Sequence, residues 1–325
     1  MESSFPGAIS TLLDQLPKET WFGLDLYNWD GFWYMGHHLS AAMAASSYFK
    51  ALDSDVFLAS SMKTGTTWLK AIIPTIMNPD VRITNDDDDD DDPLLKHHPN
   101  ELMPSLEVQL FVANPNPDLS GMSSPRLFRT HVPFPMLPES VKNSACKIVY
   151  ITREPKDTFV SSWHFMNSVI TARGIDPWPM NEAFGTFGRG IHEFGPFHDH
   201  VLGYWKESRK RPEKIHFMRF EDMKKEPREE LQKLACFLGK PFERDEDVDK
   251  VLWRCSLERL KNLEVNRHGV DPSLGVDPSL GVDYKHYFRR GIVGDWKNYF
   301  TDEMQQKLDL ITAMKFEGSG LDIGY

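Results

Sequence analysis

With 325 residues, 40% of them apolar and 26% charged, the chain has the composition of an ordinary soluble globular protein, long enough for one large α/β domain or two smaller ones. A formal net charge of −11 argues against broad binding to nucleic acid or anionic membrane, leaving room only for a local basic pocket. Cys146, Cys236 and Cys255 are too few and too scattered for a disulfide framework, no apolar run nears the ~20 residues that span a bilayer, and MESSFPGAISTLLDQLPKET lacks a secretory signal, so a cytosolic enzyme is expected.

In chain order, DVFLASS (55–61) reads as a short buried strand, and Thr67 to Met77 as a helix in which Pro74 can place a kink. Asp86 to Asp92 is an unbroken aspartate run, self-repelling and expected as a solvated loop; calcium binding would need spaced ligands and a turn glycine, which it lacks. RLFRT (126–130) and KIVYIT (147–152) are two further strands, the second running into PKDTFVSSWHFMN with Pro155 suited to a first helical turn. KIHFMRF (214–220) is a fourth strand, followed by one long helical stretch, EDMKKEPREELQKLACFLG, ending on Gly239. GVDPSLGVDPSLGVD (269–283) writes a six-residue unit twice and begins it a third time, which reads as a duplicated loop. Alternating strands and helices predict an α/β fold, a single domain over 1–325 with a central, mostly parallel sheet flanked by helices. Ligands of such sheets bind beyond the carboxyl ends of the strands, and the chemically loaded stretches fall there.

The first of these is SSMKTGTTWLK (60–70), at a strand-to-helix junction. Free N–H groups and the positive helix end favour an anion there; Gly65 allows close approach, Thr64, Thr66 and Thr67 add hydroxyls, and Lys63 adds a charge. The stretch is P-loop-like but departs from the triphosphate-binding loop. Its lysine precedes the glycine, and Ser60 stands where the first glycine would be. Arg129 and His131 share one face of a strand end, so both can point into one pocket. Arg153 stands at another strand end with Ser161 eight positions on, and Arg289-Arg290-Gly291 forms a basic turn, both good chemistry for phosphate. Of the other histidines, His198-Asp199-His200 looks briefly like a metal pair, but side chains two apart on a helix diverge, so a solvated helix start is expected; His37-His38 and His97-His98 show no usable spacing.

Taken together, K-T-G-T-T-W, R-T-H, R-x-x-K-D-x-x-x-S and F-R-R-G-x-x-G-D-W resemble the cytosolic sulfotransferases, and WFGLDLYNWDGFWY with SLERLKNLEVN resembles their plant branch, which includes flavonol and brassinosteroid enzymes. The resemblance runs from about Trp21 to the C-terminus. It implies transfer of a sulfuryl group from 3′-phosphoadenosine 5′-phosphosulfate (PAPS) to a hydroxyl of a small acceptor, apolar or phenolic. By that resemblance Lys63, Thr64, Gly65, Thr66 and Thr67 bind the 5′-phosphosulfate, and Trp68 packs on the adenine. Arg153, Ser161, Arg289, Arg290 and Gly291 hold the 3′-phosphate, and His131 is the catalytic base, with Lys63 neutralising the leaving oxygen. Phe220 stands where many members carry a cofactor-contacting tyrosine, and Leu257 where a phenylalanine is common, which weakens binding by one hydrogen bond (roughly 0.5–1.5 kcal/mol) and some stacking. No metal is expected, because the transferring group carries less charge than a triphosphate. Lys297 through Gln306 matches the dimerisation stretch of animal members only at its lysine and Thr301, so a monomer or weak homodimer is expected, without nucleic acid or membrane partners. The duplicated hexapeptide is expected to reshape acceptor entry and leave the cofactor site alone. Trp33, Tyr34, Phe111, Phe134, Phe165 and Trp178 are candidates for an apolar acceptor pocket or for core, and flavonoid, steroid, hydroxyjasmonate and simple phenol all stay open as acceptors. Two rival readings are a P-loop-type nucleotide kinase, which predicts a magnesium site, and a degenerate non-catalytic protein binding an adenosine phosphate or a small apolar ligand.

Overall fold

The computed structural model describes residues 11–78, 92–271 and 281–322. An antiparallel meander comes first: β1 (Lys18–Trp21), β2 (Leu24–Trp29) and β3 (Phe32–Met35). Its turns are Phe22-Gly23 and Asp30-Gly31, all four residues at positive φ, the two-residue geometry that matches strand twist. Helix α1 (Gly36–Tyr48) follows directly.

The central sheet is wholly parallel, with β4 (Val56–Ser60), β5 (Leu127–Thr130), β6 (Lys147–Thr152) and β7 (Ile215–Arg219) in the spatial order β5-β4-β6-β7. Every residue of β4 is buried because both faces are covered, the usual state of a central parallel strand. Val56 and Leu58 pack with Val149, Ile151 and the apolar side of α2 (Thr66–Met77). Phe57 and Ala59 pack on the other face with Phe128, Tyr150 and the alanines of α1. The chain leaves the sheet through α2 after β4 and α3 (Pro155–Thr171) after β6, with Pro155 in the first turn of α3 as anticipated. Helix α2 continues through Pro74 to Met77.

Three expectations need correction. The long helical stretch after β7 is two helices, α5 (Phe220–Lys225) and α6 (Pro227–Phe237), preceded in the chain by α4 (Phe197–Lys210). Pro227 cannot donate to the preceding turn, so it opens a new helix. The aspartate run lies outside the described residues except at its last member, and Asp92 is not solvated: it is buried, caps the helix Pro93–Lys96 and pairs with Arg259 at 2.7 Å. His198 and His200 are likewise buried. They do diverge, His198 Nε2 toward Thr312 Oγ1 at 2.9 Å and His200 toward Tyr150.

Of the duplicated hexapeptide, residues 272–280 lie outside the described residues. Its two feet form a short ladder, β8 (Val270–Asp271) against β9 (Val282–Asp283). Asp271 is buried and accepts hydrogen bonds from Tyr287 Oη at 2.7 Å and Asn100 Nδ2 at 2.5 Å; Asn100 in turn accepts from Lys70 Nζ. Among the described residues no helix is long and apolar enough to cross a membrane.

Candidate active site

The four parallel strands end at Ser60, Thr130, Thr152 and Arg219, and the next residues deliver the loop 61–65, His131, Arg153 and Phe220 to one edge of the sheet. These border a cavity of about 330 Å³ together with Gly65, Thr66, Thr67, Trp68, Ser161, Arg289, Arg290 and Gly291. Helix α3 contributes Ser161, His164, Phe165 and Ser168, spaced as one helical face. Residues proposed from separate motifs thus meet in one place. Thr64 is the exception. Its side chain is fully buried, with Oγ1 donating to Ser61 O at 2.9 Å and Ile151 O at 3.1 Å, so its hydroxyl braces the loop and only its backbone can serve an anion. Of the six acceptor-pocket candidates only Phe165 borders this cavity; Tyr34 and Phe111 are core.

The loop is shaped for close approach. Lys63 has φ +64 and Gly65 φ +113, and a Cβ on Gly65 would sit 2.9 Å from Phe220 Cδ2 and 3.0 Å from Ile151 Cδ1. Lys63 Nζ lies 3.9 Å from the centre of the Phe165 ring and has no carboxylate partner among the described residues. Burial, with Arg289 and Arg153 nearby, lowers its pKa to about 7. Such a cation calls for an anion.

At the far side, Arg153 donates to Ile292 O at 2.6 Å, faces Asp157 at 3.2 Å and stacks over Phe220 at 4.6 Å. Asp157, buried in the first turn of α3, accepts from the backbone of Gly294 at 2.7 Å and Trp296 at 2.9 Å, stapling the 289–296 turn to the helix. Asp295 holds both Arg289 (2.6 Å) and Arg290 (2.5 Å). Gly291 has φ +60, and a Cβ there would press on Leu257 at 2.9 Å. The buried Nε atoms of Arg153 and Arg289, Nε2 of His164 and Nε1 of Trp68 have no hydrogen-bond partner. Orphaned donors gathered round one cavity fit a phosphate-rich ligand with an aromatic base, and the donor set fits PAPS. Among the described residues no cluster of His, Cys, Asp or Glu has the makings of a metal site.

His131 sits beside the loop. Its backbone N–H donates to Glu107 Oε1 at 2.7 Å, and Thr130 Oγ1 donates to the other oxygen of that buried carboxylate at 2.9 Å. His131 Nδ1 donates to Ser60 O at 2.8 Å, which leaves Nε2 with its lone pair. Burial and the Arg129 guanidinium hold its pKa well below the ordinary histidine value, so the ring is neutral. His200 Nε2 donates to His131 O at 2.9 Å, while its Nδ1 accepts from Tyr150 Oη at 2.9 Å. Sequence reasoning gave no site role to Glu107, His200, Asp157 or Asp295, although Asp157 and Asp295 stand inside the quoted motifs R-x-x-K-D-x-x-x-S and F-R-R-G-x-x-G-D-W.

Residues 53–320 match the sulfotransferase domain family. Cytosolic sulfotransferase 5 of Arabidopsis thaliana is 44% identical over 317 residues, covering 96% of this chain and 95% of that one. A solved sulphotransferase of Arabidopsis thaliana superposes with a TM-score of 0.77 at 31% identity, over 100% of this chain and 98% of that one. The mouse sulfotransferase SULT7A1, solved in complex with PAP, superposes with a TM-score of 0.68 at 28% identity, over 90% of this chain and 95% of that one. The chain belongs to the sulfotransferase family, in its plant cytosolic branch. It is an enzyme of sulfuryl transfer, and nothing in these similarities favours a nucleotide kinase.

Proposed function

We propose that this sulfotransferase binds PAPS across the cavity and transfers its sulfuryl group to a hydroxyl of a small apolar or phenolic plant metabolite, with His131 as general base. The observation that carries the reading is the environment of His131: a neutral ring, its tautomer set by Ser60 O, with Nε2 open beside an anion-seeking loop. An alcohol or phenol is a weak nucleophile at neutral pH until a base takes its proton, and Nε2 is placed to do so. Lys63 and the N–H groups of the loop stabilise the oxygen from which the sulfuryl group departs. Arg153, Ser161 and the Arg289-Arg290-Gly291 turn hold the 3′-phosphate, while Trp68, Phe220 and Leu257 form the slot for the base. PAPS supplies the activated sulfuryl group; the chain positions it and moves the proton. We place the whole chain in the cytoplasm as one catalytic domain, a monomer or weak homodimer that needs neither metal, nucleic acid nor membrane. Thr301 fits this, since its hydroxyl accepts from Met304 N as a helix cap and needs no partner chain to explain it.

The test is His131→Ala. Turnover is expected to fall about 10²–10⁴-fold while titration calorimetry shows adenosine 3′,5′-bisphosphate binding essentially as before. Unchanged turnover rules out the base; absence of bisphosphate binding by the unaltered chain rules out the donor.

A further inference from the structure

The cavity is also lined by the apolar residues Met62, Val108, Phe165 and Phe194 and by the polar pair His38 and Glu193. His38, in the first turn of α1, and Glu193 are each 1% exposed and are joined through His38 Nδ1 and Glu193 Oε1. Both border the cavity, and His38 Nε2 is buried without a hydrogen-bond partner. The proposed chemistry uses neither residue.

The segment carrying Glu193 is held firmly in place. Phe194 N donates to Trp33 O at 2.7 Å and Trp33 N donates to Gly195 O at 2.9 Å, so β3 grips it on both sides. Phe194 itself has φ +58, a left-handed conformation that a phenylalanine rarely takes and that clusters at ligand sites. Its ring is near both imidazoles, 5.7 Å from His131 and 5.9 Å from His38, centre to centre. A tie between α1 and this segment does not require a polar atom left empty, and an empty buried nitrogen is disfavoured. At the wall of a ligand cavity, the ligand can fill it.

We propose that His38, held by Glu193, recognises the acceptor, and that preferred acceptors carry a second hydroxyl remote from the one that is sulfated. The inference rests on the reading of His131 as the mark of the reacting hydroxyl. A hydroxyl is the matching group because it can donate to a lone pair or accept from an N–H, and so satisfies Nε2 in either protonation state. Glu193 is a positioning residue: it turns the ring so that Nε2 is the free edge. The acceptor class is therefore a diol or polyphenol on a compact ring skeleton, long enough to touch both imidazoles.

The experiment measures binding of matched monohydroxy and dihydroxy compounds on naphthalene, flavone and steroid skeletons to the full chain, with and without adenosine 3′,5′-bisphosphate, by calorimetry. The dihydroxy member is expected to bind about tenfold or more tightly on at least one skeleton, because a site built for a hydroxyl discriminates against its absence. Equal binding of both members on all three overturns the proposal, whatever any variant does. His38→Asn, whose amide can keep the bond to Glu193 but not the far edge of the ring, is expected to abolish the preference. His38→Gln, whose amide reaches the Nε2 position, is expected to keep part of it. A preference that survives in His38→Asn also overturns the proposal. Glu193→Gln is expected to narrow the ratio, a quantity that loss of fold stability alone does not move; an unchanged ratio removes Glu193 from the assignment. Because the readout is binding, a chain that discriminates the pairs yet transfers no sulfuryl group supports this inference and contradicts the proposed reaction.

Discussion

The two ends of the cavity are built by different means. The proposed donor end comes mostly from loops that follow strands of one parallel sheet, joined by Ser161 two turns into α3 and by the Arg289-Arg290-Gly291 turn from far along the chain. The acceptor end is assembled from parts far apart in the chain: β3, α1 and the 189–196 segment, with His38 and Glu193 separated by 155 positions. The donor end is also fastened by charge, through Asp157, Asp295 and three arginines, whereas the proposed acceptor end is fastened by backbone bonds, aromatic packing and the single His38–Glu193 pair. On the proposed reading, chemistry common to all acceptors rests mainly on short local motifs, and selectivity rests on long-range packing that can change without disturbing them.

The comparison breaks most visibly at Asp157. Asp157→Ala removes the acceptor for two backbone N–H groups and takes from Arg153 its paired counter-charge, leaving only Glu221 nearby, at a cost of about 3–5 kcal/mol in stability. Denaturant titration should record that loss, and calorimetry a bisphosphate affinity lowered about a hundredfold. If acceptor discrimination falls by the same factor, the two ends are not separable. Gly65→Ala comes next. Its Cβ meets Phe220 and Ile151 at φ +113, a strain of about 1–3 kcal/mol that should appear as weaker bisphosphate binding and a melting temperature lower by a few degrees.

A smaller effect follows from Lys63. With a pKa near 7 in the free protein, its side chain is increasingly neutral as pH rises above that value, and a bound anion draws the proton back. Binding is therefore coupled to proton uptake, and affinity should fall with rising pH by up to about tenfold per unit above pH 7. Calorimetry at pH 8 in buffers of different ionisation enthalpy should read the uptake, and Lys63→Arg should remove it. The smallest change is Phe220→Tyr. Restoring a hydroxyl beside Arg153 and Trp68 should tighten bisphosphate binding by about 0.5–1.5 kcal/mol, read by the same titration.

How much of this was legible follows the same division. The anion loop, Arg153, the basic turn and the parallel sheet could be read because helix starts, strand runs and arginine pairs are local patterns. The meander was readable in principle: Asp30-Gly31 between aromatic runs is a strong hairpin signal. Asp157 was not, since an acid in a first helical turn looks like a dipole partner and nothing local shows that it caps a turn 137 residues on. His200 and Glu107 were hidden for the same reason: their partners at 130–131 are set by packing. Asp92 misled because six like neighbours mask one residue with a separate role.

The ladder at the foot of the repeated hexapeptide carries a consequence of its own. Val270–Asp271 belongs to the first copy and Val282–Asp283 to the third, so the paired rungs are the same dipeptide written twice. Excising or adding a whole unit restores an identical dipeptide on each side, and Asp271 keeps its bonds to Tyr287 and Asn100. The span between the rungs can therefore lengthen or shorten in steps of one hexapeptide. Tandem copying of a short stretch of coding sequence can thus change the length of this segment while its anchorage stays in register.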